Sequence, residues 1–172
     1  MLDSTFTYTN AVPQCQRFNS QAHWAKYEGW IREYAMACSG RLYLLTGTSF
    51  AHIQRHDRNG RLPPPDQPNI EWFNQKDPTI AIPNSLWTAG CCVRPDNSAK
   101  SFAVMGNNVQ GGPAEVTQQI TVTQLQNILT DDVRHNNLAY QDVHVSLFPG
   151  NDNCLEDIVT PLSQIKYIVN SM

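Results

Sequence analysis

The feature that most constrains the fold is an amphipathic helix predicted over residues 20–38. Apolar side chains recur there at spacings of three and four residues, which places them on one face of a helix. These side chains are Trp24, Tyr27, Trp30, Ile31, Tyr34 and Cys38. Ser20 is placed to cap the start of the helix, and Ser39-Gly40 to end it. Because 41% of the 172 residues are apolar, the chain can form a core, and we interpret residues 1–172 as a single domain.

Strand patterns lie on both sides of this helix. Residues 4–9 alternate small polar and aromatic residues and predict a strand, and residues 41–48 predict a buried strand. The polar residues 51–79 include three consecutive prolines and predict a long surface loop. The next predicted elements are a short apolar segment over 80–83 and strands over 85–92 and 101–105. A helix is predicted over 121–130, capped by Thr121 or Thr123. A weakly alternating segment over 143–148 and a short helix over 158–169 follow. Together they predict an α+β fold with a mostly antiparallel sheet.

The cysteines leave two interpretations open. The chain has five, at Cys15, Cys38, Cys91, Cys92 and Cys154, and no two of them form a Cys-x-x-Cys pair, which argues against a zinc or redox site. They could be free thiols in a reduced compartment, or two disulfides with one cysteine left over. An odd cysteine would then suggest a partner outside this chain. The sequence does not determine the pairing.

Charge and hydropathy limit the function. The net charge of −3 argues against a general nucleic-acid binder, but residues 17–61 hold seven basic against three acidic residues, a net charge of +4. This basic segment could face phosphates, or it could be an ordinary solvated mixture of charges. No apolar run approaches the length of a membrane span, and residues 1–5 do not resemble a signal peptide.

A small set of polar residues surrounds the start of the predicted helix. The strand would bring Asn10 and Asn19 there, and Trp24, Glu28 and Arg32 lie four residues apart on one helix face. Amide and carboxylate oxygens suit Mg²⁺, and a guanidinium suits a phosphate. The alternatives are an exposed ion pair between Glu28 and Arg32 and a capping role for Asn19.

The same segment resembles a known family. Residues 9–19 contain Thr-Asn-x-x-Pro-Gln-x-x-x-x-Asn, and residues 24–32 contain Trp-x-x-x-Glu-x-x-x-Arg. Both strings resemble the DNA/RNA non-specific endonucleases, whose site is a ββα-metal finger. Residues 43–47, 82–87 and 101–107 resemble later strands of that family in the same order. The resemblance covers about residues 5–150.

The resemblance implies an activity and a role for each matched residue. The chain would hydrolyse phosphodiester bonds of DNA and RNA with a divalent cation, Mg²⁺, contacting the phosphate backbone rather than base edges. Asn19 would be the protein ligand of the metal, and Glu28 would hold metal-bound water. Arg32 would stabilise charge on the phosphate, and Asn10 would shape the site. The adjacent Cys91 and Cys92 are similar to the animal secreted branch, which implies disulfides and an extracellular or secretory location.

Two departures from the family pattern qualify this expectation. The family carries an Asp-Arg-Gly-His segment before the Asn segment, and its histidine is the general base. No histidine precedes His23 here, and Asp57-Arg58-Asn59-Gly60 lies after the helix and lacks the histidine. We therefore expect the domain to be incomplete at its N-terminus and the chain alone to be inactive or nearly so. The spacing from Asn19 to Trp24 is also one residue longer than in the family, which could misalign Asn19 and Glu28.

Two other functions remain open. The chain could be a non-catalytic protein that keeps the nuclease scaffold to bind nucleic acid or protein, or an unrelated secreted α+β domain. We assign no catalytic role to the four other histidines, which we interpret as surface or structural residues: His52, His56, His135 and His144.

Overall fold

An antiparallel sheet with helices on both faces forms the centre of the protein. The structure is a computed structural model that describes residues 12–20, 23–76, 78–155 and 161–164. The strand predicted over residues 4–9, Asn10 and most of the helix predicted over 158–169 lie outside these residues. The described elements, in chain order, are α1 (Gln16–Ser20), α2 (His23–Ala37), β1 (Arg41–Ser49), β2 (Glu71–Trp72), β3 (Ala81–Ile82), β4 (Ser85–Val93), β5 (Ala99–Asn107), β6 (Thr117–Ile120) and α3 (Val122–Asn136).

The main sheet has the strand order β1-β4-β5-β6, and all its neighbours are antiparallel. A separate pair, β2 and β3, is also antiparallel. Short 3₁₀ turns follow α3 at Leu138–Tyr140, Asp152–Cys154 and Leu162–Gln164. The predicted α+β fold with a mostly antiparallel sheet is confirmed.

Alternation along the strands divides the core into two layers. Ala103 and Met105 of β5 point to the face covered by α3, and Phe102 and Val104 point to the face covered by α1 and α2. Successive side chains of a strand point to opposite faces, so one strand contributes to both layers. All four side chains are buried, and β5 is therefore a central strand.

The N-terminal helical segment differs from the single predicted helix. Ser20 does not begin α2 but ends α1, where its hydroxyl donates a hydrogen bond to the carbonyl of Gln16 at 2.8 Å. Phe18 of α1 and Trp24 of α2 are both buried in the same layer. Because the apolar pattern continues from one helix to the next, side-chain spacing does not reveal the break between them.

The end of this segment was also predicted differently. The helix α2 ends at Ala37. Gly40 does not adopt a left-handed conformation, and glycine is needed there because the backbone of Val93 lies close to it. A β-carbon at Gly40 would overlap the carbonyl of Val93.

The two adjacent cysteines join the sheet to elements on its two faces. Cys92 pairs with Cys38 just after α2, and Cys91 pairs with Cys154 in a 3₁₀ turn. Since neighbouring residues of β4 point in opposite directions, each disulfide fixes one layer to the sheet. Cys15 is the remaining free cysteine and is half-buried. The interpretation of two disulfides with one cysteine left over is confirmed.

The strand predicted as buried at residues 41–48 is β1, but its burial was predicted wrongly. Tyr43 is 42% exposed, Leu44 47% and Leu45 37%. Within the described residues β1 pairs only with β4 and forms one edge of the sheet. An apolar sequence does not distinguish an edge strand from a central one, because the difference lies in what packs beside it.

The second half of the chain follows the prediction more closely. The helix α3 is capped by Thr121, whose hydroxyl accepts a hydrogen bond from the Gln124 N–H, and it extends beyond the predicted end. The weakly alternating residues 143–148 do not form a strand. They lie along α3, where the Val145 N–H donates to Thr130 Oγ1 at 3.0 Å. The polar, short strand β6 was missed.

The predicted surface loop over 51–79 is irregular for most of its length but contains β2 and a bridge between His52 and Asp66. The short apolar segment that follows contains β3. Among the residues that the structure describes, no helix is long and apolar enough to cross a membrane.

Candidate metal and phosphate site

The junction of α1 and α2 is built on two stacked aromatic rings. The ring centres of Phe18 and Trp24 lie 5.3 Å apart with an angle of 28° between the planes. Phe18 is 1% exposed and Trp24 4%. Asn19 follows Phe18 directly, and Glu28 lies one helical turn after Trp24. The stack therefore couples the positions of two residues that the sequence singles out.

Asn19 lies within α1 rather than at the cap of α2. Its N–H donates a hydrogen bond to the Cys15 carbonyl at 3.0 Å, as expected inside a helix. Its side chain is exposed and makes no hydrogen bond with any residue that the structure describes. The amide oxygen of Asn19 is thus available to a ligand.

The row formed by Trp24, Glu28 and Arg32 runs from the core to the solvent. Trp24 is buried, Glu28 half-buried and Arg32 exposed. An i,i+4 row on a straight helix drifts by about 40° per step, because each residue turns the chain by about 100°. The sequence predicted one shared face, and the drift explains why the three residues have different exposure.

Glu28 and Arg32 do not form the ion pair that the sequence left open. Arg17 and Glu115 form an ion pair at 3.6 Å, but Glu28 and Arg32 form none with each other. Neither Glu28 nor Arg32 makes another polar contact with a described residue. A half-buried carboxylate and an exposed guanidinium therefore remain available beside the α1–α2 junction.

The extra residue between Asn19 and Trp24 does not rotate Asn19 relative to Glu28 along one helix, as helical periodicity would suggest. Asn19 belongs to α1 and Glu28 to α2, and the two helices are separated by residues 21–22, which lie outside the described part. Their relative orientation is set by how α1 packs on α2. Asn10, the fourth predicted site residue, also lies outside the described residues.

Two basic residues meet at Glu115, a grouping that the sequence did not predict. The Arg17 guanidinium pairs with the Glu115 carboxylate, and the Arg55 guanidinium donates to the Glu115 carbonyl at 2.9 Å. Both arginines belong to the basic segment over residues 17–61. The net positive charge of that segment indicated that basic residues are concentrated there. It did not indicate that Arg17 and Arg55 both contact Glu115.

The described histidines of the loop after β1 have structural partners. The backbone of His52 pairs with Asp66, and burial lowers the pKa of the half-buried ring. Nδ1 of His56 lies 3.1 Å from Oε1 of Gln118. His144 lies beside Arg134, with Nε2 3.3 Å from the guanidinium. These contacts agree with the structural interpretation of the three residues.

The donor set fits a hard, largely hydrated cation. No cluster of three or more His, Cys, Asp or Glu side chains that could hold a metal occurs in the described parts of the chain. A cation held by Asn19 and Glu28 would take few ligands from this part of the protein. Mg²⁺ prefers oxygen and keeps most of its waters, and Asn19 and Glu28 supply an amide oxygen and a carboxylate.

Comparison with known proteins identifies the family. The family model of the DNA/RNA non-specific endonucleases matches residues 1–142. The chain belongs to this family. Its antiparallel sheet and packed helices are those of an endonuclease domain, and the resemblance of the Asn10–Asn19 and Trp24–Arg32 segments falls inside the matched region.

A solved structure supports the same fold. One chain in the crystal structure of the EndoG/EndoGI complex, which addresses the mechanism of EndoG inhibition, matches with a TM-score of 0.53 and 16% sequence identity. The match covers 74% of this chain and 49% of the other, so the chain spans about half the length of its structural neighbour. At this identity the likeness concerns the fold alone. A search of curated proteins found no match.

Proposed function

We propose that this chain supplies the metal side of a divalent-metal-dependent endonuclease that hydrolyses phosphodiester bonds of DNA and RNA. The observation that carries the proposal is the set of three side chains beside the Phe18–Trp24 stack. Asn19, Glu28 and Arg32 offer an amide oxygen, a carboxylate and a guanidinium, and no described residue pairs with any of them. Family membership supplies the class of reaction.

Each side chain has a role that follows from its chemistry. Asn19 would hold the cation, Mg²⁺, through its side-chain oxygen. Glu28 would accept hydrogen bonds from water on the cation and so orient it. When bound, the metal polarises the scissile phosphate and stabilises the leaving 3′ oxygen. Arg32 would donate paired hydrogen bonds to phosphate oxygens, because its planar guanidinium matches their geometry. Asn10 would hydrogen-bond near the reacting phosphate.

The base that activates water is the component we do not assign to this chain. The family's Asp-Arg-Gly-His string does not occur in the 172 residues. The ring of His52 is half-buried and its backbone pairs with Asp66, and Nδ1 of His56 lies beside Oε1 of Gln118. We propose that the 172-residue chain is nearly inactive by itself and that a histidine-bearing segment completes the site. Binding to nucleic acid would depend on phosphate contacts and weaken with salt.

Chemical rescue tests the assignment. Plasmid nicking by the 172-residue chain is measured in Mg²⁺ with and without imidazole, which can act as a free general base. We expect little nicking without imidazole and more with it, and none in excess chelator. Asn19→Ala should abolish the rescued activity and Glu28→Gln should reduce it strongly. Gln16→Ala, at an exposed position of the same helix, is the matched control and should behave as the wild type.

The outcomes separate the proposal from its alternatives. Rescued nicking that persists in Asn19→Ala would remove Asn19 from the site. No nicking under any condition, together with salt-sensitive DNA binding in an anisotropy titration, would instead support a scaffold that binds without cutting. Full activity without imidazole would show that a group of this chain serves as the base.

We also propose that the protein resides in an oxidising compartment of the secretory pathway or outside the cell. Two disulfides within 172 residues persist where thiols are not kept reduced. Thiol labelling of the protein recovered from its native cell, followed by mass measurement, tests this: one labelled cysteine agrees with the proposal, and five would contradict it.

A further inference from the structure

A groove lies between the β2–β3 pair and the segment that leads into α1. One wall is a face of the β2–β3 pair, and the other is formed by residues 13–15 and 108–110. The groove measures about 430 Å³. Sites for small ligands measure about 300–1,000 Å³, so the groove is large enough for a single small group such as one nucleotide.

The β2–β3 wall carries an exposed aromatic ring. Glu71 and Phe73 both line the groove, as expected for side chains two residues apart on one strand. Ile82 lies opposite Glu71, and the Phe73 N–H donates a hydrogen bond to the Ile80 carbonyl at 2.9 Å. Phe73 is 69% exposed and Ile80 52%. The wall therefore offers a ring and an aliphatic neighbour to a ligand in the groove.

The side chain of Asn108 fixes the spacing between the two walls. Its amide oxygen accepts a hydrogen bond from the Cys15 N–H at 2.7 Å. Its amide nitrogen donates to the Pro13 carbonyl at 3.0 Å and to the Pro83 carbonyl at 2.9 Å. Pro83 follows β3, whereas Pro13 and Cys15 belong to the opposite wall. One amide thus ties the two walls together, and the groove is formed without a ligand.

The guanidinium of Arg17 lies on the α1 side of the groove. Cys15 lines the groove two residues earlier, and a β-carbon at Gly111, next to the lining residue Gln110, would lie 3.9 Å from Nη1 of Arg17. The Arg17 side chain is 52% exposed, and its 3.6 Å contact with Glu115 is too long for a hydrogen bond. It donates no hydrogen bond to any described residue. Its paired N–H donors are therefore open to a phosphate.

Charge distinguishes the two sides of the groove. Glu71 places a carboxylate on the β2–β3 wall, and this carboxylate repels a phosphate. On the α1 side Arg17 and Arg55 both contact Glu115, so that two guanidiniums share one carboxylate. An anion is therefore favoured on the α1 side and an uncharged ring on the β2–β3 side. A nucleotide has this polarity, because its base is uncharged and its phosphate is an anion.

We propose that the groove binds one unpaired nucleotide of single-stranded DNA or RNA, with its base stacked on Phe73 and its phosphate on Arg17. The inference rests on the proposed function, which makes nucleic acid the ligand, and it deepens that function by naming a preferred strand form. The Asn19 N–H bonds to the Cys15 carbonyl, so the candidate metal ligand lies one helical turn, about 5.4 Å along α1, from the groove. The bound nucleotide is therefore a close neighbour of the one that would be cut.

Stacking on Phe73 gives a preference for strand form without a preference for sequence. Every base has an aromatic face, so a protein ring accepts any of them. A base within a duplex is already paired and stacked, and it must leave the helix at a cost in free energy before it can reach the ring. Single strands therefore gain a contact in the groove that duplexes do not.

Binding to a labelled oligothymidylate and to a labelled duplex of the same length tests the role of Phe73. Fluorescence anisotropy is measured at low salt in excess chelator, so that nothing is cut. We expect Phe73→Ala to weaken binding of the single strand about tenfold and to leave duplex binding unchanged, and Phe73→Trp to restore the single-strand affinity. Tyr140→Ala removes another exposed aromatic residue, 50% exposed and in the 3₁₀ turn after α3, and should behave as the wild type.

The salt dependence of binding tests the role of Arg17. Each phosphate contact on a single strand contributes about 0.7 to the slope of log K against log salt concentration. Arg17→Gln should reduce that slope by about this amount. Arg41→Gln is the control, because Arg41 pairs with Val93 at the end of the sheet away from Asn107 and Asn108. Its slope should equal that of the wild type.

The outcomes separate this inference from the proposed catalysis, because binding in chelator requires neither metal nor cleavage. No binding of the single strand at low salt would overturn the inference. Unchanged single-strand binding by Phe73→Ala, or an equal loss for single strand and duplex, would also overturn it, even if imidazole-rescued nicking is observed. Binding of single strands that depends on Phe73, in a chain that nicks nothing with imidazole, would support the groove and contradict the proposed catalysis.

Discussion

Phe18 and Trp24 stack at 5.3 Å between ring centres and form the contact that joins α1 to α2. Asn19, on the first helix, and Glu28, on the second, are thereby held by one buried aromatic pair. Residues on two helices keep a fixed relation only if the packing between the helices is tight. The geometry of the candidate site therefore depends on side chains that would not themselves touch metal or phosphate.

Truncating the buried ring should destabilise the fold. We expect Phe18→Ala to lower the free energy of unfolding by about 3–5 kcal/mol, because it removes a large buried side chain and leaves a cavity. Phe73→Ala, at a 69% exposed ring, should change it by less than about 0.5 kcal/mol. Urea denaturation measures both, and equal effects would argue against the packing described.

The two disulfides should contribute similarly to stability. They close segments of 54 and 63 residues, and the entropy of loop closure changes only slowly with length. We expect the Cys38→Ser/Cys92→Ser and Cys91→Ser/Cys154→Ser variants each to lose about 2–5 kcal/mol. Thermal unfolding without reductant measures this. A loss confined to one variant would show that one of the two layers is fixed by other contacts.

Asp132 should be an anchor for the end of β1. Its buried carboxylate accepts hydrogen bonds from the Ser49 hydroxyl at 2.7 Å, the Phe50 N–H at 2.9 Å and the Asn136 amide at 2.8 Å. Asp132→Ala leaves these donors unpaired and should cost about 3 kcal/mol. The exposed neighbour provides the control, since Asp131→Ala should cost less than about 0.5 kcal/mol. Similar losses in urea denaturation would contradict the anchoring role.

His52 should make stability fall in mildly acidic solution. Burial lowers the pKa of the ring, and its hydrogen bond with the Asn84 backbone only partly opposes this. The folded pKa then lies below the unfolded value of about 6.5, so the unfolded chain takes the proton first as the pH falls. The destabilisation is absent above that value and grows until the pH passes below the folded pKa.

A matched variant isolates this effect. The urea midpoint of the wild type should fall more between pH 8 and pH 5 than that of His52→Gln, which cannot titrate at this position. His135→Gln, at an exposed ring, serves as the control and should follow the wild type. Parallel curves for all three proteins would show that burial of His52 has no effect on stability.

Much of the secondary structure was determined locally by the sequence. The stripe that includes Trp24 and Ile31 predicted α2, and the apolar runs predicted β4 and β5. Thr121 and Gln124 form the capping box that begins α3. In each case neighbouring residues carry the signal, through side-chain periodicity or a hydrogen bond to the nearby backbone. The nuclease resemblance likewise depends on short strings within residues 9–32.

The features missed were those that depend on distant partners. The pairing of Cys91 with Cys154 and of Cys92 with Cys38 required the strand to present each thiol to a different layer. The exposure of β1 depends on what lies beside it, and residues 143–148 pair with α3 instead of forming a strand. None of these contacts leaves a local pattern in the chain.

The candidate site shows the same division. The sequence by itself determined which chemical groups are available, namely the amide of Asn19, the carboxylate of Glu28 and the guanidinium of Arg32. Only the tertiary structure decided that Asn19 belongs to a separate short helix and that Glu28 is half-buried without Arg32 as its partner. The physical reason is that helical periodicity relates residues within one helix, whereas residues on two helices are related only by packing, here that of Phe18 against Trp24.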